Sequence, residues 1–137
     1  MRKPVITMPM MAMLMLTAGP ALAANYGVFR NPSGSVEVRL ADCGAQLCGT
    51  IVKASAEAKA DAAKAGQARI IGIQLFRNLT PTPQPKGQPR RWDGQVYIPD
   101  KDRTVSGSAV LSGRTLAVKG CLLDDKLCKS QDWVRVN

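Results

Sequence analysis

Four cysteines carry the first chemical signal of this 137-residue chain: Cys43 with Cys48, four residues between them, and Cys121 with Cys128, six between them. Each close pair brackets turn-forming residues, Gly44-Ala45-Gln46-Leu47 in one case and Asp124-Asp125-Lys126 in the other. Of the three pairings that four cysteines allow, two local bridges across hairpins fit this pattern best. A zinc site of four thiolates is the competing reading, but it usually wants tighter spacing and a reducing compartment. A redox-active Cys-X-X-Cys does not occur in the sequence.

Histidine is absent throughout. A Ser-His-Asp triad, a Cys-His dyad, a histidine general base and a His-ligated zinc are thereby excluded, since each needs an imidazole. The only glutamates are Glu37 and Glu57, and neither spacing nor context singles out a carboxylate pair for glycoside hydrolysis. Asp100-Lys101-Asp102 sets carboxylates at alternate positions, as a calcium loop does. It lacks the glycine and distal glutamate of such a loop, so a solvated hairpin turn is expected. No catalytic residue, metal or cofactor is therefore assigned, and a binding role is expected in place of an enzymatic one. Trp92, Tyr97 and Trp133 are the large amphipathic side chains most able to line a cavity. They serve either as plain core packing or as an apolar wall at a barrel mouth that holds a small ligand.

Lys and Arg number 19 against 10 Asp and Glu, a net charge of +9. The excess is dispersed, and Arg90-Arg91 is the only adjacent basic pair beyond the first few residues. No aromatic residue is interleaved with a basic stripe of the kind that stacks bases, so nucleic acid is not an expected partner. The charge favours a weak, salt-sensitive association with anionic envelope lipid instead.

The elements that must position these residues follow from patterning. Arg2 and Lys3 precede an apolar run from about Met8 to Leu22 that closes on Ala21-Leu22-Ala23, with Pro20 just before it. Residues 1–23 read as a secretory signal peptide cleaved after Ala23, which leaves no transmembrane span and sends a single domain, residues 24–137, to the periplasm. Period-two alternation between Gly, Pro, Asn and Asp clusters predicts about eight antiparallel strands. They are expected at 26–30, 35–42, 48–53, 70–77, 92–98, 104–111, 115–121 and 128–136. Residues 54–65 (ASAEAKADAAKA) predict a short helix ended by Gly66, with a frayed linker as the alternative because only alanines are available to bury. Residues 80–90 (TPTPQPKGQPR) hold four prolines and predict a stiff exposed loop. The fold class expected is mostly β, a small antiparallel up-and-down barrel in which closure leaves no open edges, with a sandwich as the alternative.

Three blocks carry a family resemblance: DCGAQLCGTIV at 42–52, RWDGQVYIP at 91–99, and Gly120-Cys121 followed by CKSQDWVRV at 128–136. In combination, a Cys-Gly turn leading into Cys-Gly-X-Ile-Val, a Trp-X-Gly-X-X-Tyr strand and a closing Gln-X-Trp-X-Arg-Val strand resemble the bacterial exported family catalogued as domain of unknown function 2147. The resemblance covers essentially all of residues 24–137 and implies a lipocalin-like, calycin-type barrel without fixing a ligand. It also implies that Phe29 on the first strand, where the family usually has tryptophan, packs under Arg135 from the last and helps closure. The expected function is that of an exported accessory protein that binds a small apolar ligand or associates with the envelope. The alternative is a protein-protein module such as an inhibitor of an envelope hydrolase. Oligomeric state is not readable from the sequence.

Overall fold

A computed structural model describes residues 2–5, 23–123 and 126–137. The core of the expected signal peptide (6–22) and the Asp124-Asp125 part of the last expected turn lie outside the described residues. No helix among the described residues is long and apolar enough to cross a membrane.

Eight strands follow one another: β1 (Asn25–Arg30), β2 (Val36–Cys43), β3 (Gln46–Ala54), β4 (Gln74–Thr82), β5 (Arg90–Ile98), β6 (Arg103–Ser112), β7 (Thr115–Cys121) and β8 (Cys128–Arg135). A helix, α1 (Ala56–Lys64), stands between β3 and β4, and a 3-10 turn (Pro99–Lys101) between β5 and β6. Each strand pairs with its chain neighbours and β1 also pairs with β8, so the sheet is a closed antiparallel barrel. Short connections impose this order everywhere but between β3 and β4, where α1 intervenes. Gly44-Ala45 and Gly113-Arg114 are two-residue hairpin turns, and each begins with a glycine at positive φ, +67° and +59°, as tight reversals between twisted strands require.

Alternation along the strands then defines one interior. Phe29, Leu40, Leu47, Leu79, Ala109 and Leu116 are at most 1% exposed, and with Trp92 they pack the half of the barrel nearer the Gly44 and Gly113 turns. The other end carries the 31–35 loop, α1 and the Pro99–Lys101 turn.

Several boundaries differ from expectation. The fourth strand begins at Gln74, not at residue 70, and continues to Thr82 through a stretch expected to be loop. A bulge at Asn78, whose φ of +53° suits asparagine better than most residues, resets the register between Arg77 and Thr80. Pro81 is tolerated because it lies past the last β3–β4 pair, Leu47 with Leu79, with only β5 beside it. Arg90, expected at the loop's end, and Arg91, between that loop and the expected strand, belong to β5, and Pro99–Lys101 forms a 3-10 turn in place of a plain hairpin reversal.

The helix forms where expected, trimmed to nine residues. Ser55 Oγ accepts the Ala58 N–H at 3.1 Å, and Glu57 in the first turn and Lys64 in the last suit the helix dipole. Its alanines are what seat it: Ala62 is wholly buried and Ala58 packs against the core, so the absence of bulk lets the helix approach the barrel closely.

Both disulfides are local, Cys43–Cys48 and Cys121–Cys128. The second joins directly opposed residues. The first is diagonal, because Cys43 already faces Gln46 and Cys48 faces Ala41. Loops this short remove about 2 kcal/mol of chain entropy per bridge. Neither bridge ties β8 to β1.

That last seam is short. Its register pairs are Phe29 with Arg135 and Arg30 with Val134, extended by Val28 N–H to the Asn137 carbonyl at 3.1 Å and Val136 N–H to the Val28 carbonyl at 2.8 Å. Residues 128–133 of β8 run past the end of β1 with no β1 register partner. The guanidinium-over-ring contact expected between Arg135 and Phe29 does not form. Among the described residues the cation–ring contacts are Arg77 with Tyr97 and Arg90 with Tyr26 and Trp92. Arg135 Nε instead donates to the Asn137 carbonyl at 3.1 Å. Its guanidinium occupies the space above Gly27, where a Cβ would stand 2.6 Å from Nε.

Candidate ligand-binding site

At the α1 end of the barrel a cavity of about 590 Å³ opens. Its floor is built from buried residues of three strands, β4, β7 and β8, and from Ile70 in the connection after α1. Leu75, Phe76, Val118 and Trp133 are, like Ile70, each under a tenth exposed. The open volume lies above them, against the half-buried Val36, Ala58, Val96 and Ile98. Phe76 is the central floor residue. It sits opposite Gly49, whose missing side chain makes room for the ring, since a Cβ there would lie 2.3 Å from it. The same ring meets Trp133 edge-on, with centroids 5.5 Å apart and planes at 64°, a geometry that adds about 0.5–1.5 kcal/mol to simple burial. The Trp133 indole N–H donates to Gln131 Oε1 at 3.2 Å, which leaves the rest of the ring apolar toward the cavity.

The rim is polar and comes from three connections and β8: Asn31, Ser33 and Ser35; Ser55, Glu57 and Asp61; Asp100; and Gln131. Asn31 is itself fixed, its Oδ1 accepting the Val36 N–H at 3.1 Å and its Nδ2 donating to Ser35 Oγ at 2.9 Å.

Of the three aromatic residues singled out by sequence, the structure brings only Trp133 to this cavity. Trp92 lies in the packed half, 2% exposed, with Tyr26 edge-on at 5.7 Å. Tyr97 is buried away from the cavity: its hydroxyl donates to Asp102 Oδ1 at 2.7 Å and the Arg77 guanidinium lies 4.2 Å from its ring centroid. Sequence reasoning missed Phe76, Leu75 and Ile70. The available signal was Gly49 inside a strand, which often marks space reserved for a neighbour's side chain.

Two of the acids weighed from the sequence are occupied outside the cavity. Glu37 is paired with Arg30 at 2.9 Å and faces Lys53 at 3.9 Å. Asp102, once a calcium-loop candidate, accepts from Tyr97 and from Gln67 Nε2 at 3.1 Å. Among the described residues no group of three or more potential ligands is placed to hold a metal ion.

Burial, followed by the hydrogen bond to Asp102 and its negative charge, pushes the Tyr97 phenol above the ordinary value of 10. Tyr26 is raised as well, by burial against the opposing charge of Arg90. A folded-state value above the unfolded one gives stability that is intact below pH 10 and is lost as pH rises through the folded values. Phenolate absorbance should therefore titrate at higher pH in the folded protein than in the unfolded chain, with the denaturation midpoint falling over that same range. Tyr97→Phe should flatten the fall; an unchanged alkaline profile in that variant would refute the assignment.

A small closed up-and-down barrel, solid at one end and hollowed at the other over an apolar floor, is a lipocalin-like architecture. The chain belongs to the family described as an uncharacterized protein conserved in bacteria (DUF2147), whose pattern matches residues 27–135. Neither the curated proteins nor the solved structures contain a match to it.

Proposed function

We propose that this protein is an exported, non-enzymatic barrel that takes a small apolar or amphipathic ligand into the cavity at its α1 end. The observation that carries the reading is the apolar floor of Phe76 and Trp133 beneath about 590 Å³ of open volume with polar groups around it. Small-molecule sites are typically about 300–1,000 Å³, largely apolar, with a few polar groups that orient the ligand. Export is supported by the Arg2-Lys3 start, the apolar run ending at Ala23 and two disulfides that persist in an oxidising compartment. Without Arg2 and Lys3 the exported domain keeps 17 Lys and Arg against 10 Asp and Glu, a net charge of +7 that favours residence near anionic envelope lipid. A binding role suits a lining with no cysteine, lysine or tyrosine and a chain with no histidine.

The test is titration with the neutral dye N-phenyl-1-naphthylamine, read by saturable dye emission and by indole quenching. Quenching should persist in Trp92→Phe, where the remaining indole lines the cavity, and should vanish in Trp133→Phe. Absence of saturable dye binding to the wild-type protein would end the ligand-binding reading.

A further inference from the structure

The charge around the cavity is opposite in sign to the charge of the protein. Lys and Arg outnumber Asp and Glu by 19 to 10 in the chain. Yet the cavity lining contains three carboxylates, Glu57, Asp61 and Asp100, and no lysine or arginine. Two of the three stand four residues apart on α1 and so share a face of the helix. Asp100 comes from the 3-10 turn at the end of β5. All three are exposed, and among the described residues none forms a salt bridge. By contrast Glu37 and Asp93, which lie outside the cavity, are each paired with arginine. The protein's acids elsewhere are thus partly neutralised by its cations, while those over the apolar floor are not.

We propose that the occupant of the cavity is a cationic amphiphile: an apolar chain or ring system resting on Phe76 and Trp133, ending in one ammonium group held at the rim by Glu57, Asp61 and Asp100. This rests on the ligand-binding reading above and specifies its ligand class. An anionic lipid or fatty acid would bring a negative headgroup against three unpaired carboxylates with no counter-charge at the rim. A wholly apolar ligand would leave those carboxylates unused. A hydrophilic polycation would match the charge but not the floor.

The experiment is displacement of N-phenyl-1-naphthylamine by four competitors below their micelle concentrations: decyltrimethylammonium, 1-decanol, decanoate and spermidine. Decyltrimethylammonium should displace the dye at concentrations about tenfold below 1-decanol, the sum of three weak exposed ion contacts, and further below decanoate; spermidine should not displace it. The ratio of cation to alcohol is the readout in every protein, so a change in overall stability does not enter it. That ratio should fall toward one in E57Q/D61N/D100N, and also in the wild-type protein at 0.5 M salt, which covers the case in which the triple variant does not fold. A ratio of one in wild type, a preference for decanoate, displacement by spermidine, or a ratio that survives both the substitutions and salt would overturn the proposal. Those outcomes would leave ligand binding intact, because the dye would still bind; failure of the dye itself would end both readings.

Discussion

Phe76→Ala should be the most damaging truncation in the site, lowering stability by about 3–5 kcal/mol in urea or thermal unfolding. The ring is wholly buried. It fills the niche left by Gly49, touches Val96 across the β4–β5 ladder and stacks edge-on against Trp133. Gly49 has no side chain to offer the hole, and Trp133 is tethered through Gln131. The same substitution should join the cavity to the space vacated beneath it. Dye capacity should therefore persist in whatever fraction remains folded, with a shift in emission. A loss under 1 kcal/mol would mean that Phe76 is not packed as described and that the floor is soft.

Gly94→Val should be nearly as severe, costing about 3 kcal/mol, at the top of the usual range for overpacking. A Cβ at Gly94 would stand 2.5 Å from the Asn78 carbonyl oxygen and 2.9 Å from Leu79 Cα. These are backbone atoms and cannot rotate aside. They belong to the bulge in β4, so the glycine of the Trp-X-Gly-X-X-Tyr strand is there to let that bulge lie against β5. Gly94 opposes Gly107, which opposes Gly120, so side-chain-free positions cross three adjacent strands at this level. Chemical unfolding of the valine variant beside wild type is the measurement; stability within 0.5 kcal/mol would show that the bulge gives way freely.

These two positions show what the sequence made legible. Alternation and short turns were enough for eight strands and their order, and an Ala-, Glu- and Lys-rich run for the helix, because each depends on neighbours in the chain. Closure followed from the need to leave no open edge. The two disulfides were legible from neighbours in the chain as well. The site was not. Trp92 and Tyr97 are five residues apart on one strand, and an odd spacing puts side chains on opposite faces. Because the β5–β6 register is unbroken, parity keeps the two from lining one interior, a constraint that grouping aromatic residues by size overlooks. Phe76 sits in a segment whose register is reset by a bulge two residues on, and bulges carry weak sequence signals. The rim comes from three separate connections that only barrel closure brings together, so the juxtaposition of Asp61 with Asp100 has no counterpart in local pattern.

The short β1–β8 seam has a consequence for how the molecule forms and breathes. Every other ladder joins strands adjacent in the chain, and all but β3–β4, which α1 separates, can zip as hairpins on a timescale of about 1–10 μs. The seam alone joins residues such as Phe29 and Arg135 across nearly the whole domain, and it bears the largest loop-closure entropy for the fewest hydrogen bonds. Closure is accordingly the late step in folding and the low-energy opening in the native state. The amides of Val28 and Val136, at this joint, should therefore exchange with solvent hydrogen before those of any other ladder.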